Sequence, residues 1–167
     1  MRSTICHKTL HLVFFNLTLL LVWLKITATT PDGGVGDYKC IDKERDALLH
    51  FKSYIRHDPY GILSTWTPNG KEEAIGDCCE WQGVQCDNRS RVTTLYLNNA
   101  YLEGTISPSL LNLSYLTELQ LESNSFSGTI PTFIGSMTRL EFLNLGHNDF
   151  SGRVPSELGN LTNLQSL

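Results

Sequence analysis

The second half of the chain repeats itself with one fixed 24-residue spacing. From Val92 onward, the leading apolar position holds Val92, Leu116, Leu140 and Leu164, and seven further positions recur with the same spacing. A leucine pattern with a period of roughly 20–29 residues is typical of a solenoid, in which each unit buries its apolar side only by stacking on its neighbours. We therefore predict three repeats and the start of a fourth over residues 92–167.

Each repeat contains a Leu-x-Leu segment, which begins at Leu95, Leu119 and Leu143. Alternation with a period of two suits a short strand with its leucines inward and the intervening residue outward. The expected fold is an α/β solenoid whose short parallel strands stack in a right-handed coil.

Two asparagines follow these strands at equivalent places, Asn124 and Asn148. Backbone groups in a buried turn need hydrogen-bond partners, and an amide side chain can supply them to adjacent turns. Ala100 holds this place in the first repeat, so we expect the asparagine ladder to begin at the second.

Residues 1–28 have the pattern of a secretory signal peptide. Arg2 and Lys8 precede an apolar run of about 13 residues, which is short of the roughly 20 that a membrane span needs. The small residue Ala28 suits a cleavage site, which places the mature N-terminus near Thr29, with a flexible lead-in over 29–39. The alternative is an uncleaved signal anchor.

Four cysteines remain after the signal peptide: Cys40, Cys78, Cys79 and Cys86. An even number of cysteines in a secreted chain indicates disulfides, and a bond between the two adjacent cysteines would be strained, which leaves two pairings. Zinc is the competing interpretation, but the spacing does not match usual ligand motifs. We predict no metal site and no cofactor.

The charge balance and the absence of catalytic motifs argue against two classes of function, nucleic-acid binding and catalysis. The predicted mature chain has 10 basic and 17 acidic residues, and this acidic balance argues against a nucleic-acid partner. The sequence also contains no phosphate-binding loop, nucleophile elbow or metal-ligand cluster, so we do not expect an enzyme.

Residues 40–91 have the features of a helical cap. Apolar residues at helical spacing predict an amphipathic helix that ends at 58–61, and Trp66 and Trp81 are expected to form the apolar body that covers the first repeat. The helical apolar residues are Ala47, Leu48, Phe51 and Ile55.

The repeat pattern Leu-x-x-Leu-x-Leu-x-x-Asn-x-Phe-Ser-Gly-x-Ile/Val-Pro resembles the plant-specific class of extracellular leucine-rich repeats. Upstream, the segment from Cys40 to Lys52 and the segment Cys78-Cys79-Glu-Trp-Gln-Gly-Val-Gln-Cys86-Asp are similar to the N-terminal capping domain of those proteins. Cap and repeats together cover 40–167. The resemblance implies the disulfides Cys40–Cys78 and Cys79–Cys86.

Within that class, the chain most resembles receptor-like proteins of plant immunity, which are membrane-anchored and lack a kinase. The resemblance implies the ligand-recognition part of a cell-surface receptor in defence or development signalling, with a protein or peptide ligand and a partner kinase. The alternatives are a secreted inhibitor of microbial wall-degrading enzymes and a nonfunctional gene fragment.

These interpretations place the chain in the secretory pathway, either at the extracellular side of the plasma membrane or free in the apoplast. Because the fourth repeat breaks off at Leu167, we expect a truncated chain. Contact with a membrane is then expected only through a span beyond that residue.

A ligand is expected on the concave face of the solenoid, on the outward residues of the strands. Phe142 is the most suggestive of them, because it is apolar at a position predicted to be exposed; the alternative is that these repeats are scaffold and contacts lie in later ones. The candidate residues are Tyr96, Asn98, Gln120, Glu122, Phe142, Asn144 and His147, with Thr94 and Glu118 beside them.

Three glycosylation sequons follow the predicted signal peptide, at Asn88, Asn112 and Asn160. Asn112 and Asn160 are separated by two full repeats. Both are therefore expected on one outer side of the solenoid, where a glycan would keep that side from binding.

Overall fold

A computed structural model of the protein describes residues 40–68 and 77–166. The predicted signal peptide, residues 1–28, and the predicted lead-in, residues 29–39, lie outside these described residues. Within the described ranges, no helix is long and apolar enough to cross a membrane.

The cap begins with one helix, α1, which spans Asp42–Ser53. It buries Ala47, Leu48 and Phe51, as the helical spacing predicts. The prediction that Ile55 continues this face is wrong, because Ile55 begins a strand, β1 (Ile55–His57). Its backbone pairs with that of Gly104 in the first repeat, and strand pairing suits a β-branched residue.

The Leu-x-Leu segments form sheet I, whose strand order is β2-β3-β5-β7. Its strands are β2 (Val84–Cys86), β3 (Val92–Tyr96), β5 (Glu118–Gln120) and β7 (Phe142–Asn144). The three repeat strands are parallel, and Leu95 pairs with Leu119 and Leu119 with Leu143. The cap adds β2 antiparallel to β3, so the first repeat strand has a partner on its cap side.

A second sheet, sheet II, has the order β1-β4-β6-β8, which the sequence pattern did not predict. Its further strands are β4 (Glu103–Gly104), β6 (Ser125–Thr129) and β8 (Asp149–Ser151). Gly104 is required where the cap joins this sheet, because an added Cβ would lie 2.4 Å from the carbonyl oxygen of Tyr54.

After sheet II, each repeat makes a 3₁₀ turn, at Pro108–Asn112, Thr132–Ser136 and Ser156–Asn160. Pro108 is the first residue of its turn, whereas Pro131 and Pro155 immediately precede theirs. Proline suits these places because the first residues of a helical turn have no intrahelical partner for an N–H.

One apolar core runs from the cap into the repeats. Trp66 and Trp81 are 1% and 2% exposed, and their stacked rings lie 5.6 Å apart. Phe51 of α1 lies between Trp66, at 6.2 Å, and Phe126 of the second repeat, at 6.3 Å. The cap therefore shares its core with the repeats that it covers.

Equivalent apolar positions differ in exposure along the repeats. Ile106 is 5% exposed, whereas Val154, at the same place two repeats later, is 67% exposed. An apolar side chain in a repeat is buried by the unit stacked against it, so the sequence position alone does not decide its burial.

Two disulfides staple the cap, Cys40–Cys78 and Cys79–Cys86. This is the pairing that the family resemblance implies. Asp77 lies beside them, and its Oδ1 accepts hydrogen bonds from the backbone N–H of Cys40 at 2.9 Å and of Cys79 at 3.0 Å. Three of these sulfurs lie within 4.8 Å of one another, but disulfide sulfurs are not the thiolates that bind metals.

Asn124 bonds two successive turns of the chain. Its Nδ2 donates to the carbonyl oxygens of Leu97 at 2.7 Å and Leu121 at 2.9 Å, and its Oδ1 accepts from the backbone N–H of Leu102 at 2.9 Å. Asn148 makes the equivalent bonds one repeat later. These amides satisfy backbone groups that the tight turns would otherwise leave without partners.

Candidate ligand-binding face

The outer face of sheet I carries the predicted ligand-binding residues. Residues two apart on a strand share a face, and the parallel register aligns Tyr96, Gln120 and Asn144 in one row across the three repeats. Glu118 and Phe142 are aligned in the neighbouring row. Because the residues that pair in the sheet are one full repeat apart, each row places a side chain beside the one at the same position of the following repeat.

Hydrogen bonds connect the first two repeats across this face. The Nδ2 of Asn98 donates to Oε1 of Gln120 at 2.9 Å, and the Nε2 of Gln120 donates to the carboxylate of Glu118. The Oδ1 of Asn98 accepts from the backbone N–H of Glu122 at 2.7 Å. The orientations of these side chains are therefore fixed by one another.

A second cluster connects the last two repeats around Glu122. Its Oε2 accepts from Nδ2 of Asn144 at 3.0 Å, and its Oε1 lies 3.4 Å from Nδ1 of His147. The repeat spacing assigns Gly146, rather than His147, to the position equivalent to Glu122. His147 has a positive φ of 52°, and its side chain, 80% exposed, approaches the carboxylate from beyond the strand.

Two exposed aromatic residues accompany these polar clusters. Tyr96 is 48% exposed and Phe142 is 38% exposed. Aromatic side chains supply large contact area at low cost in conformational entropy, which is why they are enriched where proteins bind partners. The two carboxylates, Glu118 and Glu122, give this face its acidic character.

Thr94 does not belong to the exposed part of this face, contrary to its predicted outward position. It is 8% exposed. Thr94 lies between Gln85 of β2 and Glu118 of β5, and the antiparallel strand from the cap leaves little of its side chain accessible. The accessible face therefore begins at Tyr96.

A cation–π ladder, which the leucine pattern does not indicate, lies at residues just before the strands. The Cζ of Arg91 lies 4.0 Å from the ring centre of Tyr115, and that of Arg139 lies 5.3 Å away. The side-chain hydrogen bond from Arg91 lowers the pKa of Asp87 to about 2. The three ladder residues occupy the same position in successive repeats, so the repeat period could have identified them.

The three sequon asparagines are exposed. Asn112 and Asn160 are each the last residue of a 3₁₀ turn, and Asn88 lies in the turn between β2 and β3. All three are accessible for glycosylation, which stays a prediction.

Family models match both parts of the chain. The leucine-rich-repeat N-terminal domain matches residues 41–87, and the leucine-rich repeat matches residues 115–137 and 139–161. The receptor-like protein EIX1 of Solanum lycopersicum is 42% identical over 125 residues, which cover 65% of this chain and 11% of that protein. The chain thus spans about a tenth of this relative's length.

Solved structures agree with this similarity. A structure titled PEPR1-AtPEP1 superposes with a TM-score of 0.68 at 32% identity, covering 76% of this chain and 18% of that one. The BIR3–SERK2 complex from Arabidopsis thaliana superposes with a TM-score of 0.64 at 31% identity, covering 72% of this chain and 64% of that one.

Proposed function

Because this chain belongs to the plant leucine-rich-repeat proteins that are related to receptor-like proteins, we propose that it is the ligand-recognition part of a cell-surface receptor-like protein. It acts by binding and carries no enzymatic activity. The observation that carries the proposal is the outer face of sheet I, where hydrogen-bonded polar side chains are flanked by exposed aromatic residues.

We propose further that the repeats coil right-handedly and that the outer face of sheet I is the concave one. The parallel register at the repeat spacing supports this, because the small rotation between repeats curves a solenoid and creates an extended concave surface. A ligand on such a surface would contact equivalent positions in successive repeats.

The preferred ligand is a cationic, extended segment of a peptide or protein. Glu118 and Glu122 are held in fixed orientations by Gln120 and Asn144, which lowers the entropic cost of receiving a positive charge. Charge complementarity of this kind contributes specificity and speeds association. Tyr96 and Phe142 would contact the apolar parts of the ligand.

The relatives supply the wider setting of the proposal. Secretion to the extracellular side of the plasma membrane would suit the two disulfides. Signalling would need a partner kinase, and defence is the favoured process because the cap and repeats resemble those of receptor-like proteins of plant immunity. A role in development is the alternative within this same class.

The experiment is a binding titration of the mature chain with two matched 12-residue peptides. One peptide alternates Lys with Ser and Tyr, and the other has Glu in place of each Lys; affinity is measured by calorimetry. We expect the Lys peptide alone to bind, and E118Q/E122Q to weaken its binding about tenfold, since charge interactions at these two half-buried carboxylates contribute roughly 0.5–1 kcal/mol each.

Glu157→Gln is the matched control, because Glu157 is an exposed acid on a 3₁₀ turn away from sheet I. It should leave the affinity unchanged. Equal binding of the two peptides, or an equal loss in E157Q and E118Q/E122Q, would refute the proposed site.

A further inference from the structure

A groove that is open to solvent runs along the junction between the cap helix and the first repeat. It has a volume of about 670 Å³ and lies between α1 and the 3₁₀ turn at Pro108–Asn112. Its walls include Lys43, Asp46, Ala47 and His50 on the helix side and Pro108 and Asn112 on the turn side. Neither the repeat pattern nor the ligand-binding face accounts for this groove.

Direct bonds hold the two walls at a fixed separation. The hydroxyl of Ser109 donates to the carbonyl oxygen of Ala47 at 2.9 Å, and the hydroxyl of Ser107 lies 3.4 Å from Nδ1 of His50. The groove is thus a defined feature of the junction between cap and repeats.

The lining suits an uncharged polar molecule. One cation, Lys43, and one anion, Asp46, balance each other at the helix wall, while the exposed Pro108 offers apolar surface. Pockets that combine apolar surface with a few polar groups fix the orientation of a ligand that has both characters. A sugar ring, with hydroxyl groups and an apolar C–H face, fits this description.

A sugar would already be attached at the wall of the groove. Asn112 lines it and is the acceptor of the sequon Asn112-Leu113-Ser114. Asn112 and Ser114 are exposed. We propose that the first sugars of an N-linked glycan on Asn112 lie in this groove and brace α1 against the first repeat; this inference rests on the secretion included in the proposed function.

Asn160 provides the internal comparison, because it occupies the same place two repeats later. Asn160 is exposed and lies two repeats beyond the turn that packs on α1. A glycan on Asn160 therefore has no cap helix beside it, and its removal should not affect α1.

The test uses the full chain secreted from a plant cell line, with the glycans located by mass spectrometry. Ser114→Ala removes the glycan and keeps Asn112, and Thr162→Ala removes the control glycan from Asn160. Amide hydrogen exchange then reports the local opening of α1. We expect exchange at Leu48 and Phe51 to be about tenfold faster in S114A and unchanged in T162A.

A second pair of measurements separates the glycan from the side chain. In unglycosylated chains, refolded with their disulfides intact, S114A and the parent should exchange at the same rate. A peptide N-glycosidase should release the glycan of Asn112 from the folded protein more slowly than that of Asn160.

Three results would overturn the brace. They are an unmodified Asn112, equal exchange of α1 with and without its glycan, and equal rates of release from the two sites. An unmodified Asn112 beside a modified Asn160 would leave the ligand-binding proposal intact, whereas retention of the chain inside the cells would contradict secretion. Peptide binding at sheet I is measured separately and does not depend on the glycan.

Discussion

Replacing Asn124 with alanine removes the first rung of the asparagine ladder. Asn124 is 8% exposed, so water cannot readily replace its bonds. The substitution removes the hydrogen bonds that the side-chain amide of Asn124 makes to the N–H of Leu102 and to the carbonyl of Leu97. The carbonyl of Leu121 keeps a second donor, the Nδ2 of Asn148 at 2.9 Å, and is therefore less affected.

The cost follows from the two groups that lose their partner. A buried donor or acceptor left unsatisfied costs about 1–3 kcal/mol, so the two groups together should lower the free energy of unfolding of Asn124→Ala by about 2–6 kcal/mol. Natural domains have a total stability of only about 5–15 kcal/mol. The variant should therefore lose a substantial part of its stability.

Urea unfolding followed by circular dichroism, with disulfides intact, measures this change directly. Asn163→Ala is the matched control, because its exposed amide makes one bond, to the carbonyl of Thr138 at 2.8 Å, and should cost less than about 1 kcal/mol. Ala100 occupies the equivalent place in the first repeat and is buried without an amide. An equal loss in both variants would refute the reasoning, as would a loss in Asn124→Ala below about 0.5 kcal/mol, the lower end for a single hydrogen bond.

Two further substitutions test the packing of the repeats and the cap. Gly135→Ala should destabilise the protein by about 1–3 kcal/mol, because the added Cβ would lie 2.2 Å from the carbonyl oxygen of Glu157. Gly159→Ala is the control, because its Cβ would meet nothing within 4 Å; it should leave the stability unchanged, and thermal unfolding of the two variants measures the difference. Burial, with a smaller contribution from Asp87, raises the pKa of Glu44 above its usual 4.5, against the opposing bond from the Val92 N–H. Because the pKa of Glu44 is raised, its contribution to the stability of the folded state is largest below pH 4.5 and is lost as the pH rises. Above that pH, the parent should therefore lose stability relative to Glu44→Gln, which urea unfolding at a series of pH values measures. Parallel pH profiles would contradict this account.

The sequence predicted sheet I because its signal is redundant. Leu95, Leu119 and Leu143 recur at one spacing, and residues separated by that spacing pair with each other in the sheet. Sheet II was not predicted because its strands, such as Glu103–Gly104 and Ser125–Thr129, have no Leu-x-Leu alternation. Ile55 was assigned to the helix because its strand is defined by pairing with β4 of the first repeat, which the local sequence does not indicate.

The sequence predicted which residues of the candidate face lie in one row, but it did not predict the contacts between their side chains. Alternation along the strands places Tyr96, Gln120 and Asn144 outward, whereas the link between His147 and Glu122 depends on a positive φ after the strand. Thr94 shows the opposite limit, because its burial depends on a cap strand that no repeat pattern contains. The local periodicity of the sequence therefore predicts to which side of the sheet a side chain points, whereas its exposure to solvent depends on neighbouring elements of the fold.

The central claim is that the outer face of sheet I receives the ligand. The most direct measurement is an NMR titration of the isotope-labelled mature chain with the Lys peptide, following the side-chain amide signals. We predict the largest shifts at Asn98, Gln120 and Asn144, with the signal of Asn163 unmoved. Shifts concentrated at Asn163, with the other three amides unchanged, would contradict the claim.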